Sequence, residues 1–269
     1  SGRSASERIA PEPVAPELVA LARLALTLPA AGTDAPVEPE LAWLAAHARY
    51  ANAAFAATPL VRLAAFFGLT PAETLTAALC RAVESDALAG RALARLQTPL
   101  AGARPTLALA ALAFGVPLEQ LAAGAALRHG VLTLAGDGPL PTRELAVSAA
   151  LHCALAGVAW PPAGVALDFP DCALPESFTR AAAAQARALA GDAGASLVVR
   201  ASSRDDALAF AAAVARALGQ TPARIADPHA PGLAPWLVAG DYLGVIDAAN
   251  GPGEPLQLPA LAGLPLLVD

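Results

Sequence analysis

Lysine and methionine are both absent from this 269-residue sequence, and all 17 basic residues are arginine. Without lysine the chain cannot form a lysine Schiff base, attach pyridoxal phosphate or supply the lysine of a phosphate-binding loop. These reaction classes are excluded for this chain whatever its fold. Because the first residue is not methionine either, we interpret Ser1 and Gly2 as a processing or cloning remnant and leave them out of the fold prediction.

Charged and aromatic residues are scarce, at 15% and 4% of the chain, whereas 56% of the residues are hydrophobic. Much of this hydrophobic fraction is alanine, which favours helices but buries little surface per residue. We therefore expect cores of Leu and Val packed against Ala. The 25 prolines divide the chain into short elements, and the length allows two domains of ordinary size. Together these features predict a globular, mostly helical protein.

The net charge of −6, with no basic run, argues against a nucleic-acid partner, because phosphate contacts need clustered cations. Cys80, Cys153 and Cys172 are odd in number and far apart, so they predict neither a disulfide framework nor a thiolate metal site. A reducing, cytoplasmic environment fits this cysteine usage. The histidines are too scattered to predict a metal site; they are His47, His129, His152 and His229.

One uncharged stretch, residues 145–167, has about the length of a bilayer span. Pro161 and Pro162 would break a spanning helix, and the apolar residues before them are largely alanine. No secretory signal pattern is present. The sequence therefore predicts no membrane span.

Residues 1–16 are rich in Ser, Pro and Glu and are predicted to be disordered, and residues 17–159 are predicted to form a helical, winged-helix-like domain. The clearest helix starts are Thr58-Pro59 and the capping box from Thr70 to Glu73. Gly136 to Pro139 should form the turn of a two-stranded ribbon, and Ser148 can cap the last helix. The predicted helices are 16–28, 40–55, 59–68, 71–89, 105–115, 117–129 and 148–156, with strands at 131–134 and 140–147.

A proline-rich stretch at 160–175 is predicted to be a linker, and residues 176–269 a second domain. Strands alternate with helices in this domain, which favours a parallel sheet. The strand at 196–200 is predicted to be of the buried type. We expect the domain to be truncated on its C-terminal side, because its last strand reaches Asp269. The predicted elements are helices 177–190 and 204–218 and strands 196–200, 222–226, 242–247 and 264–269.

The connection between strand 196–200 and helix 204–218 is where a phosphate-binding loop would lie, because a helix N-terminus offers free amides and the positive end of a dipole. A working loop reads Gly, four residues, Gly, Lys, then Ser or Thr. With Ala201 at the first glycine, the later positions are filled by Asp206, Ala207 and Leu208. Every position that binds phosphate or magnesium is lost.

The residues that replace the loop oppose phosphate binding. Asp205 and Asp206 fall in the first helical turn, with Ser202 or Ser203 as the N-cap. Two carboxylates there would repel a triphosphate, by several kcal/mol where screening is poor. The partner motif is also incomplete, because hydrolysis wants a strand ending in two acids. Here Ala248 follows Asp247, which we interpret as the end of a buried strand.

Several short segments share a pattern with one known family. They are 68–73, 104–106, 127–132 with 136–140, 238–247, and 251–254 followed by 258–261. These segments resemble the N-terminal part of bacterial AAA+ ATPases in which a winged-helix region and a degenerate AAA-like domain precede an active AAA+ domain. The resemblance covers most of the chain from about residue 55. It implies that ATP and magnesium bind an ATPase module beyond residue 269, so no catalytic, cofactor-binding or metal-binding residue carries over to this chain.

Other candidate sites are weak. No Gly-x-Ser-x-Gly elbow is present, so a serine hydrolase has no anchor. Two pairs of neighbouring acids, Glu38 with Glu40 and Glu84 with Asp86, are interpreted as solvated charges rather than a glycosidase pair. In residues 101–147, which include the predicted wing, the charges cancel, which favours protein contact over reading of a DNA groove. Those charges are Arg104, Arg128 and Arg143 against Glu119, Asp137 and Glu144.

The fold prediction is thus a mainly α region with a small β wing, followed by an α/β parallel-sheet domain that resembles an incomplete, degenerate P-loop or AAA fold. The predicted function is a non-catalytic regulatory and interaction region of an AAA+ ATPase, with protein partners and self-association. The alternative is an acidic winged-helix transcription regulator with an unrelated effector domain. An intact enzyme of unrecognised chemistry ranks third.

Overall fold

The computed structural model describes residues 13–28, 38–100, 102–170, 173–192, 195–246 and 264, together with the backbone of 266–268. Within these residues the protein is mixed α/β, with helices predominating over two small sheets. The chain divides into two compact units. Residues 1–128 and 132–147 form the first, and residues 129–131 and 148–269 form the second.

The first unit consists of helices and one hairpin. Its strands, β1 (Thr133–Ala135) and β2 (Glu144–Ala146), pair antiparallel, so the predicted two-stranded ribbon is present. Two 3-10 helices, Ala48–Tyr50 and Leu140–Thr142, are also described. The α-helices are α1 (Pro16–Ala25), α2 (Pro39–Ala45), α3 (Pro59–Phe67), α4 (Pro71–Ser85), α5 (Ala87–Leu96), α6 (Leu107–Phe114), α7 (Leu118–Ala122) and α8 (Ala125–Arg128).

Helix α4 is the central helix of the first unit, and every residue of 72–80 is buried. Alanines such as Ala77 and Ala78 are fully inaccessible, which allows neighbouring helices to approach closely. Leucines from the surrounding helices fill the space between them, as the composition predicts. The fully buried ones include Leu24, Leu60, Leu63, Leu79 and Leu107.

The predicted starts of α3, α4 and α6 are confirmed. The hydroxyl oxygens of Thr58, Thr70 and Thr106 each accept a hydrogen bond from the backbone amide three residues later. Helices α3 and α6 end at Gly68 and Gly115, both in the left-handed conformation that favours glycine. These boundaries are local, so sequence patterns find them.

Three predicted helices are shorter or interrupted. Helix α2 ends at Ala45 rather than near residue 55. The helix predicted over 71–89 divides at Asp86, because the Asp86 carboxylate accepts a hydrogen bond from Leu88 N at 2.8 Å and caps α5. The helix predicted over 117–129 divides at Gly124 into α7 and α8.

The break at Gly124 is explained by the buried carboxylate of Glu73, which is 3% exposed. Its Oε2 accepts hydrogen bonds from the backbone amide and the hydroxyl of Thr70, both at 2.8 Å. Its Oε1 accepts a hydrogen bond from Ala126 N, also at 2.8 Å, at the start of α8. A Cβ at Gly124 would collide with this carboxylate. Glu73 therefore fixes the starts of two helices that lie far apart in sequence.

The second unit is an α/β sandwich around a sheet of order β3-β5-β6-β7-β4. Strand β3 is antiparallel to β5, and the remaining neighbours are parallel, as predicted for this half of the chain. The strands are β3 (Val165–Ala166), β4 (Ser196–Val198), β5 (Thr221–Ile225), β6 (Tyr242–Ile246) and β7 (Leu266–Val268). The helices are α9 (Ala149–Leu155), α10 (Glu176–Gly191), α11 (Arg204–Ala217) and α12 (Leu233–Ala239).

Helices cover both faces of this sheet. On one face Leu243 and Val245 of β6 join the apolar core formed by α10 and α11. On the other face the Tyr242 ring stacks on Trp236 of α12, with ring centroids 4.1 Å apart. The crossovers β4-α11-β5 and β5-α12-β6 run in opposite directions across the sheet. Crossovers of the same hand then place their helices on opposite faces, as observed.

Two boundaries differ from the prediction. The helix capped by Ser148 forms as expected, but α9 packs with α12 in the second unit rather than ending the first. The stretch 160–175, predicted to be a linker, contains β3, and the Trp160 carbonyl accepts a hydrogen bond from Trp236 Nε1 at 3.0 Å. Both differences arise from contacts between residues distant in sequence.

Among the described residues, no single helix has the length and apolar composition needed to cross a membrane. Helix α6 and the α7–α8 segment meet that requirement only as a pair, and they are bent by 116° from each other. The uncharged stretch 145–167 is divided among the end of β2, α9 and β3.

Replacing Glu73 by Gln is expected to lower the free energy of unfolding by about 1–3 kcal/mol, because an amide NH₂ would face one of the buried N–H donors. Urea denaturation followed by circular dichroism measures this loss. The matched control is Glu119→Gln on the exposed side of α7, where a change within about 0.5 kcal/mol is expected. Equal losses in both variants would contradict the assigned role.

Glu73 should also make stability depend on acid. Burial raises its pKa, but the hydrogen bonds from Ala126 and Thr70 lower it further, so the pKa in the folded protein lies below the ordinary value. The stabilisation is therefore complete above the unfolded pKa of about 4.3 and is lost as the pH falls through the folded pKa. The stability difference between wild type and Glu73→Gln should narrow over this range, and a constant difference would contradict the assignment.

Candidate functional site

The junction between β4 and α11 is the candidate site, because open α/β sheets bind ligands beyond the carboxyl ends of their parallel strands. Strand β4 ends at Val198 and α11 begins at Arg204. The five connecting residues are Val, Arg, Ala, Ser and Ser, so the loop contains neither glycine nor lysine. A strand-to-helix turn stands where a phosphate loop would stand, without the residues that bind phosphate.

The N-terminus of α11 is capped by its own chain. Ser203 has extended backbone, and its Oγ accepts a hydrogen bond from Asp206 N at 3.1 Å. Of the two serines considered from sequence, the structure selects Ser203 as the N-cap. Asp205 and Asp206 lie in the first turn as predicted, where their charges interact favourably with the helix dipole. The amide that would otherwise face an anion therefore has a partner.

Repulsion by the two aspartates is weaker than the sequence suggests. Both side chains are exposed, and in water two unit charges 4 Å apart interact by only about 1 kcal/mol. The missing glycines, lysine and hydroxyl weigh more, because they are the groups that contact phosphate and magnesium in a working loop. The loss of binding groups therefore matters more here than the added negative charge.

A half-open groove of about 600 Å³ adjoins this junction. Most of its lining is apolar, and Phe178 of α10 and Phe210 of α11 meet there edge to face, with ring centroids 6.5 Å apart. Phe178 is 52% exposed although it is a large apolar residue. Arg200, Ser202 and Asp206 add polar groups at the junction end of the groove. Such a surface suits an apolar ligand or a protein segment better than a triphosphate.

Sequence analysis did not identify this groove. Phe178 and Phe210 are two of only seven phenylalanines in the chain, and both stand in alanine-rich helices. Large aromatic residues in such helices are the signal that could have drawn attention to them. Their approach depends on how α10 packs on α11, which the sequence pattern does not reveal.

The paired acids are separated by other interactions. Glu38 forms an ion pair with Arg95 at 3.1 Å, and Glu84 forms one with Arg104 at 3.1 Å. Asp86 caps α5. Neither predicted pair therefore forms an arrangement of two carboxylates facing a shared cleft, in agreement with their interpretation as structural charges.

The histidines and cysteines are also dispersed. No group of three His, Cys, Asp or Glu side chains within the described part of the chain could hold a metal ion. His47 Nδ1 lies 3.0 Å from the Trp43 carbonyl, and His229 follows the Asp227 turn. Burial strongly raises the pKa of the Cys80 thiol, so it stays protonated and is a poor nucleophile. Asp247 and Cys172 lie outside the described residues.

Comparisons with known proteins leave the function to be argued from this chain alone. No family model matches the sequence, and neither a search of curated proteins nor one of solved structures gives a match. The capped helix start and the adjoining groove are therefore the observations from which a function can be inferred.

Replacing Ser203 by Ala is expected to destabilise the second unit by about 1 kcal/mol, because α11 loses its N-cap acceptor. Thermal and urea unfolding measure the loss. Ser202→Ala is the matched control, since Ser202 is the adjacent exposed serine and does not cap the helix. If the two variants lose equal stability, Ser203 is not the cap that closes this site.

Proposed function

We propose that this chain is a non-catalytic regulatory and interaction region of a bacterial AAA+ ATPase, in which it positions or assembles the ATPase module and contacts protein partners. The observation that carries the proposal is the β4–α11 junction. It occupies the position of a phosphate loop, but Ser203 caps its helix and no phosphate-binding residue remains. The protein is proposed to act in the cytoplasm.

The architecture of the second unit supports this proposal. Parallel strands with helices on both faces are the arrangement in which nucleotide-binding α/β domains are built. The sequence places Asp247 directly after β6, at the carboxyl edge where a magnesium-binding acid would lie. A domain with this layout and without the chemistry of hydrolysis fits a degenerate AAA-like domain.

The first unit supports the winged-helix part of the resemblance. Helix α6 and the α7–α8 segment are bent by 116° from each other, and the three residues between them begin with Gly115. Helix-turn-helix motifs join two helices at about 90–120° through a short turn that often contains glycine. The β1–β2 hairpin follows this pair, as a wing would.

The same geometry is the reason to retain the alternative, an acidic winged-helix transcription regulator. The segment before the wing exposes Glu119, Gln120 and Arg128, which offers one cation against one anion. It is also interrupted at Gly124, so it does not present one continuous helix to a groove. Protein contact therefore explains this surface better than groove reading.

A calorimetric titration with Mg-ATP and Mg-ADP tests the proposed loss of nucleotide chemistry. No heat and no change in Tm are expected at millimolar nucleotide, because the groups that hold the phosphates are absent. Micromolar binding, or turnover by this chain, would contradict the proposal. So would a complete coding sequence for the parent protein that lacks a phosphate loop with glycine and lysine elsewhere.

Fluorescence anisotropy with duplex DNA at low and high salt separates the two candidate functions. We expect only weak binding, because a net charge of −6 and a neutral wing region release few counterions. Tight binding that weakens steeply with salt would favour the transcription regulator. Reversing the charge with Arg128→Glu should then abolish it, whereas Arg180→Glu on α10 should not.

A further inference from the structure

Strand β4 stands at one end of the sheet order, where it pairs with β7 alone among the residues that the structure describes. An edge strand presents backbone N–H and C=O groups that are available to another strand. This position differs from the sequence prediction of a buried strand. Leu197 and Val199 pack towards the core, whereas Val198 is 59% exposed.

The edge carries little protection against pairing. Natural proteins blunt exposed edges with lysine, proline, inward-pointing charges or very short strands. Residues 196–199 contain no proline and no charge, and the chain contains no lysine. The strand is short, at three residues, so hydrogen bonds at the edge would need added apolar contact. The adjoining groove, with Phe178 beside it, provides that contact.

The sequence around Val198 is complementary to itself. In an antiparallel pair centred on Val198, the two Val198 residues face each other and Leu197 faces Val199 of the other copy. Arg200 then faces Ser196 of the other copy, so no like charges are opposed. β-Branched and aliphatic pairs of this kind stabilise antiparallel strands, whereas like charges directly opposite destabilise them.

The neighbouring helix is compatible with the same symmetry. Helix α10 lines the groove beside β4, and a twofold axis through the paired strands makes the two α10 helices antiparallel. Glu176 lies in the first turn of α10, and Arg187 lies towards its other end. The acidic end of one helix is then directed towards the basic end of the other. The charges favour this arrangement.

We propose that a second copy of this chain pairs with the free edge of β4 through antiparallel strands centred on Val198, with the groove beside Phe178 covered in the contact. The dimer joins the two sheets into one continuous sheet. The inference stands on the geometry of β4 and holds whether or not the chain belongs to an ATPase.

Sedimentation velocity of the intact chain over micromolar to millimolar concentrations tests this contact. We expect a monomer–dimer equilibrium. Val198→Arg should weaken it about tenfold or more, because two like charges would then lie opposite each other. Val158→Arg is the matched control, since Val158 is similarly exposed at 54% in the same unit but lies outside β4. This control should dimerise like wild type.

A chain that stays monomeric at every concentration overturns the proposal, and so does a dimer that Val198→Arg and Val158→Arg affect equally. Circular dichroism and melting curves establish that both variants fold. A second measurement does not require disruption of the contact. Directly opposite residues have Cβ atoms roughly 4.5–5.5 Å apart, so Val198→Cys should form an intermolecular disulfide that mass spectrometry maps to residue 198 of both copies. Cross-linking no greater than that of Val158→Cys overturns the proposal as well.

Discussion

The ionised carboxylate of Glu73 is the interaction on which the first unit depends. A charge buried in the central helix is tolerated only when its oxygens have hydrogen-bond donors. One oxygen accepts from Thr70 and fixes the start of α4, and the other accepts from Ala126 and fixes the start of α8. Gly124 leaves room for the carboxylate beside it. One side chain thus determines where the core helix begins and where the segment before the hairpin is interrupted.

The same requirement, that helix N-termini find acceptors, decides the chemistry of the second unit. A phosphate loop leaves the amides at a helix start available for an anion. In this chain Ser203 accepts one of those amides, and acidic residues follow in the first turn. The junction keeps the position of a nucleotide site within the sheet but offers no residue to hold phosphate or magnesium. Nucleotide chemistry is therefore the function that this surface suits least.

The features that remain favour contact with protein. The groove beside the junction is mainly apolar, and Phe178 and Val198 are both more than half exposed. Exposed apolar side chains grouped in this way mark interaction surfaces more often than solvated ones. The edge of β4 adds directional hydrogen-bonding groups to that apolar surface. An interaction role for the second unit and self-association through β4 both follow from this combination.

The sequence by itself determined the local features of this protein. Helix starts at Thr58, Thr70, Thr106 and Ser148 were predictable because each cap acts within a few residues, and the loss of phosphate-binding residues was visible in the loop itself. Only the tertiary structure decided the break at Gly124, because Glu73 and Ala126 are 53 residues apart. It also decided that β4 is an edge strand. A short apolar run reads the same at the centre and at the edge of a sheet, and only the order of strand pairing distinguishes the two.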